Sequence, residues 1–64
     1  MKKTNAADRL LTVREVIDIL RIGRTTLHKL RRLGVIEAVQ IGRAVRFRAS
    51  DIERLIERGA EVEQ

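Results

Sequence analysis

The chain has 64 residues, room for one small hydrophobic core and not for two, which excludes a multidomain enzyme. It contains no cysteine, so neither disulfides nor thiolate metal sites reinforce the fold, and apolar burial with good local capping must hold it. With 44% hydrophobic residues, 36% charged residues and a net charge of +5, the composition is that of a cytoplasmic globular domain, without a signal region or the roughly 20-residue apolar run of a membrane span.

Residues 1–9 lack apolar periodicity and are expected to form a flexible arm, with Lys2 and Lys3 available to phosphates. The first helix is predicted over about 13–20. Thr12 followed by Glu15 is a capping box, and Leu11 before the cap can pack on Val16 as a hydrophobic staple. Val13, Val16, Ile17 and Leu20 then recur at helical spacing and leave Arg14, Glu15 and Asp18 to water.

A short break over Arg21, Ile22 and Gly23 precedes a second helix from Arg24 to Leu33. Gly23 suits a tight turn or a modest helix cap. Leu27, Leu30 and Leu33 lie along one side of this helix, with Thr25, His28 and Arg32 opposite them and Arg24, Lys29 and Arg31 flanking. Gly34 stands where a helix C-terminal glycine belongs.

From Glu37 the apolar period changes to two, which predicts a β-hairpin of residues 37–41 and 45–48. Gly42 and Arg43, with Ala44, supply the turn and put Arg43 at the tip. Val39, Ile41, Val45 and Phe47 are expected on the core face and Gln40, Arg46 and Arg48 on the outer face. Ser50 with Glu53 reads as a second capping box, opening a third helix that turns Ile52, Leu55 and Ile56 inward and ends at Gly59. Residues 60–64 are expected to fray.

Charge is segregated along this order. Residues 21–48 carry eight Lys/Arg against Glu37 alone, a net of +7, whereas residues 49–64 carry a net of −3. A band of one sign costs self-repulsion that folding does not require, so an anionic partner is expected there. Seven of the eight cations are arginines, whose planar fork matches phosphates and guanine edges and favours nucleic acid over a lipid surface. A merely basic, solvated surface is the bland alternative.

Two short helices joined by a three-residue break, the second basic on its outer side, outline a helix-turn-helix. Ten helical residues span about 15 Å, enough to meet a few base pairs in a major groove. Thr25, His28, Lys29 and Arg32 are the candidates for base edges and phosphates, and Arg24 at the helix start for a backbone phosphate, aided by the free amides there. For Thr25 the alternative is helix capping, and for Arg31 and Arg32 it is solvation of the helix end.

Arg43 at the hairpin tip can enter a minor groove, with Arg46 and Arg48 supporting it on the same hairpin. A single-stranded RNA platform fits less well, since Trp and Tyr are absent and Phe47 points to the core. His28 lacks the further histidine or cysteine ligands of a zinc site and the enclosed pocket that acid–base catalysis needs, so no metal, cofactor or catalytic residue is expected. Glu53, Glu57 and Glu61, spaced by four beside Arg54 and Arg58, read as a solvated, salt-bridged helix face.

The ordered motifs Leu11-Thr12 with Glu15, Ile41-Gly42-Arg43 and Ser50-Asp51-Ile52 resemble the excisionase-type, MerR-like winged helix-turn-helix family over residues 10–59. The resemblance implies a mainly α fold with a small β-hairpin in the order α-α-β-β-α. It also implies DNA contacts from Thr25, Thr26, His28, Lys29 and Arg32 on a recognition helix beginning near Arg24, and from Arg43 on the wing. Gly23 departs from the serine cap common in the family, and Glu37 from its proline. Excisionases of this family, also called recombination directionality factors, bind repeated sites cooperatively, often head to tail, bend DNA and recruit a tyrosine integrase. Single-domain transcription regulators related to MerR share the pattern. No effector domain is expected in 64 residues, and the +7 centre and −3 end offer a physical route to association of neighbours. A protein-binding adaptor or antitoxin-like module, docking an acidic partner on the basic face, is the reading from another class.

Overall fold

In a computed structural model, residues 9–60 are described; the expected arm, apart from Arg9, and residues 61–64 of the expected tail lie outside them. Six elements follow one another: β1 (Leu10–Thr12), α1 (Val13–Leu20), α2 (Arg24–Arg32), β2 (Ala38–Ile41), β3 (Ala44–Arg48) and α3 (Ala49–Arg58). Three helices and an antiparallel sheet of order β1-β3-β2 make a winged helix-turn-helix.

α1 begins where local chemistry demands. The Glu15 amide donates to Thr12 Oγ1 at 3.0 Å, and Glu15 Oε1 accepts from the Thr12 amide at 2.8 Å, so both halves of the capping box form. The helix stops because Arg21 adopts a left-handed backbone, φ 57°, with its amide donating to the Ile17 carbonyl at 2.8 Å. Ile22 and extended Gly23 then redirect the chain, and the Leu27 amide closes the first turn of α2 onto the Gly23 carbonyl at 3.1 Å.

At its other end α2 finishes in a Schellman motif. The Val35 amide donates to the Leu30 carbonyl and the Gly34 amide to the Arg31 carbonyl, both at 3.0 Å, with Gly34 at φ 78°. Leu33 is thereby carried out of the helix and stands 61% exposed, which corrects its expected place beside Leu27 and Leu30.

The hairpin turns over two residues. Gly42 at φ 60° occupies the first central position, as a type II′ turn requires, and Ile41 pairs with Ala44. This register sets Ala38 across from Phe47, Val39 across from Arg46 and Gln40 across from Val45. The expected faces of β2 are therefore exchanged. A three-residue turn would align Val39 with Phe47, but the two-residue turn moves the pairing by one and sends Val39 and Ile41 to the face of Arg46 and Arg48. Ile41 is accordingly 56% exposed.

β1 is an element that periodicity does not predict. Its three residues pair Leu10 with Arg48, Leu11 with Phe47 and Thr12 with Arg46. Leu11 is thus placed on the core face by sheet pairing as well as by its position before the cap. β3 runs into α3 without a loop: extended Arg48 is both the last strand residue and the helix cap, and the Ala49 amide donates to the Arg9 carbonyl at 2.8 Å. α3 therefore opens one residue before the Ser50 that was expected to cap it, and the residue at the cap, Arg48, makes no side-chain cap bond. It ends at Gly59, as expected.

The core consists of Leu11, Val16, Leu27, Leu30, Ile36, Phe47 and Ile52, with Val13, Ile17, Leu20, Val45 and Leu55 packed against it. Every helix and the sheet's inner face contribute to it. Ile56, expected to face inward, is 57% exposed, because α3 buries the side centred on Ile52 and leaves Ile56 on its flank.

Candidate nucleic-acid interface

α2 is held from one side only. Leu27 and Leu30 are buried, whereas Arg24, Thr25, His28, Arg31 and Arg32 are exposed and Lys29 is half-buried beside them. The helix RTTLHKLRR contains no acid, so its solvent side is cationic from end to end. At its start Gly23 offers no side chain to the first-turn amides, leaving that positive end available to a phosphate oxygen.

Thr26 is not part of this surface. It is half-buried and lines an apolar groove with Leu20, Ile22, Leu30, Leu55 and Ile56, a position on the flank of α2 that turns toward α3. Arg31 leans toward the sheet instead, its guanidinium carbon 6.0 Å from the Phe47 ring centroid. At the outer limit of cation–π range, this contact adds little energy, but it places the Arg31 side chain between α2 and β3.

A second groove joins α2 to the wing. His28, Arg31 and Arg32 line one wall, and Gly34, Ile36, Glu37 and Ala38 the other. The cationic side of the helix therefore borders a groove whose far side, before β2, carries the acid Glu37 and no cation. Arg43 is exposed at the hairpin tip. Arg46 and Arg48 are half-buried and stand on the outer face of the sheet, opposite in direction to Phe47. Arg46 lies between Thr12 of β1 and Val39 of β2, and its Nη1 donates to the Val45 carbonyl at 2.9 Å.

Nine of the ten sequence-derived site residues thus fall into three sets. Arg24, Thr25, His28, Lys29, Arg31 and Arg32 share the helix surface and its margins, Arg43 stands at the tip, and Arg46 and Arg48 occupy the sheet's outer face; Thr26 belongs to none of them. Sequence reasoning missed Val39 and Ile41 as neighbours of the outer arginines. The signal that could have found them is turn length, since Gly42 at the first position of a two-residue turn fixes the register. On α3, Arg54 pairs with Asp51 rather than with the glutamate row.

Among the described residues, no cluster of His, Asp or Glu could hold a metal ion, and no helix is long and apolar enough to cross a membrane. A capped helix, a tight break, a second helix anchored by two leucines and a basic hairpin beside it define a winged helix-turn-helix domain. The chain belongs to the helix-turn-helix domain family, which matches residues 10–60. Searches of curated proteins and of solved structures find no match. Membership points to DNA binding, in a family that includes excisionase-like domains and is typically non-enzymatic.

Proposed function

We propose that the protein is an excisionase, a recombination directionality factor that binds and bends attachment-site DNA so that a tyrosine integrase excises a mobile element. The observation that carries the reading is the acid-free α2, exposed along Arg24, Thr25, His28, Arg31 and Arg32, in a fold that also carries a hairpin with an exposed arginine at its tip. In this reading Thr25, His28, Lys29, Arg31 and Arg32 meet the major groove, and Arg24 holds a flanking phosphate. Arg43 enters the adjoining minor groove.

The orientation of the wing supports bending. In this reading a duplex seated on α2 meets Arg43 at the tip, whereas Arg46 and Arg48 stand on the face of the sheet opposite to Phe47. Phosphates meet those two arginines when the duplex curves round the hairpin, and each added contact offsets part of the bending energy. Thr26, half-buried beside Leu20, Ile22 and Leu55, stands apart from these contacts. The charge difference between the central and C-terminal segments supports head-to-tail contacts between neighbours on repeated sites.

An in vitro excision assay with the integrase of the element tests this reading. Excision that rises with added protein, together with a bent attachment site in circular-permutation gels, is the expected result. Sequence-specific binding and bending without any effect on excision would reassign the same surface to transcriptional regulation. Binding to a protein partner with no affinity for duplex DNA would reassign it to an adaptor.

A further inference from the structure

We propose that Glu37 is a specificity-determining residue of the DNA-binding surface, acting by repulsion of misplaced phosphates. The inference rests on the reading of α2 and the wing as that surface. Glu37 is the only acid among residues 21–48. It is exposed, sits one residue before β2 and lines the groove opposite His28, Arg31 and Arg32.

Among the described residues no cation lies within ion-pair distance of the Glu37 carboxylate and it makes no hydrogen bond. Glu37 also borders a groove with Arg54 and Arg58 of α3 without pairing with either, so its negative charge is left to act in the groove where the helix surface meets the start of β2. Such a charge weakens attraction to any polyanion, so its effect depends on what occupies the groove.

Non-specific complexes are held by backbone phosphates alone, and a phosphate in this groove is repelled at close quarters. In a complex with α2 seated in the major groove, base edges lie there instead, and a carboxylate can accept from an exocyclic amino group such as that of cytosine. Repulsion that falls on the wrong complexes and spares the right one widens the difference in affinity between them. A glutamate present only for solubility would weaken binding to every duplex alike.

The test compares the unmodified protein with Glu37→Gln and Glu37→Lys on two duplexes, the preferred site and a scrambled sequence of the same composition, over a salt series. Glu37→Gln is expected to gain about fivefold on the scrambled duplex, with a log–log salt slope steeper by up to about 0.9, and less than about twofold on the preferred site. Glu37→Lys should move both quantities further in the same direction. Unchanged thermal unfolding midpoints exclude an effect on the fold. Equal gains on both duplexes, or no gain on either, overturn the proposal. Failure of the unmodified protein to bind any duplex is a different result, which removes the DNA-binding reading beneath it.

Discussion

Val39 stands directly across from Arg46 in the β2–β3 ladder, so an apolar β-branched side chain and a guanidinium share the outer face of the sheet. The pairing follows from the two-residue turn and places Arg46 and Arg48 on the opposite face from Phe47. The wing thereby has two cationic parts, the tip at Arg43 and the outer face behind it.

If the tip is the minor-groove element, Arg43→Ala weakens binding and reduces the bend without altering the fold, since Arg43 is exposed. Loss of one arginine contact of this kind is expected to flatten the log–log salt slope by about 0.9. An unchanged footprint and bend angle would remove the wing from the account.

On α2, as the proposed recognition helix, His28→Ala and Arg32→Ala are expected to alter site preference, by about 1–3 kcal/mol where a well-formed base contact is lost. Thr26→Ala should leave preference unchanged, because Thr26 lines the groove with Leu20, Ile22 and Leu30 rather than the cationic side. Selection of preferred sites from a randomised duplex pool by each variant checks both statements.

The small core makes its centre indispensable. Phe47 is fully buried and Leu27 nearly so, and truncation of either to alanine is expected to remove roughly 2–5 kcal/mol from a domain whose whole stability is on the order of 3–10 kcal/mol. Urea unfolding followed by circular dichroism measures the loss. A variant that keeps its midpoint would show that the site collapses around the missing atoms.

Local backbone features predict smaller effects. Thr12→Ala removes the side-chain half of the capping box and should cost about 1 kcal/mol. Gly42→Ala meets no steric obstacle, but it forces a side chain into φ 60° and should cost on the order of 1 kcal/mol. Thermal unfolding of the two variants and their double mutant should give nearly additive losses, since cap and turn share no partner.

These contrasts show which parts of the fold can be read from the chain. Thr12 with Glu15 and Gly34 after α2 act within one turn of themselves, so their spacing carries the information. β1 escapes such reading because three residues have no periodicity of their own; Leu10–Thr12 are extended through pairing with Arg46–Arg48. Ser50 resembles a cap, but β3 continues straight into α3 and gives that position to Arg48. Helical spacing also gives only the direction of Leu33 and Ile56, not whether a neighbour covers them. The cationic helix surface was readable because acids are absent from α2, whereas the neighbours of Arg46 and Arg48 depended on a register that one residue of turn length reverses.

In the proposed function α2 and the hairpin together form a surface for duplex DNA. Its most direct measurement is the affinity for a preferred and a scrambled duplex across a salt series. With about four to six phosphates neutralised, a log–log slope of roughly −4 to −5 is expected, with the preferred duplex bound more tightly at every salt concentration. Affinity that does not respond to salt, or that is equal for the two duplexes throughout, would contradict the account.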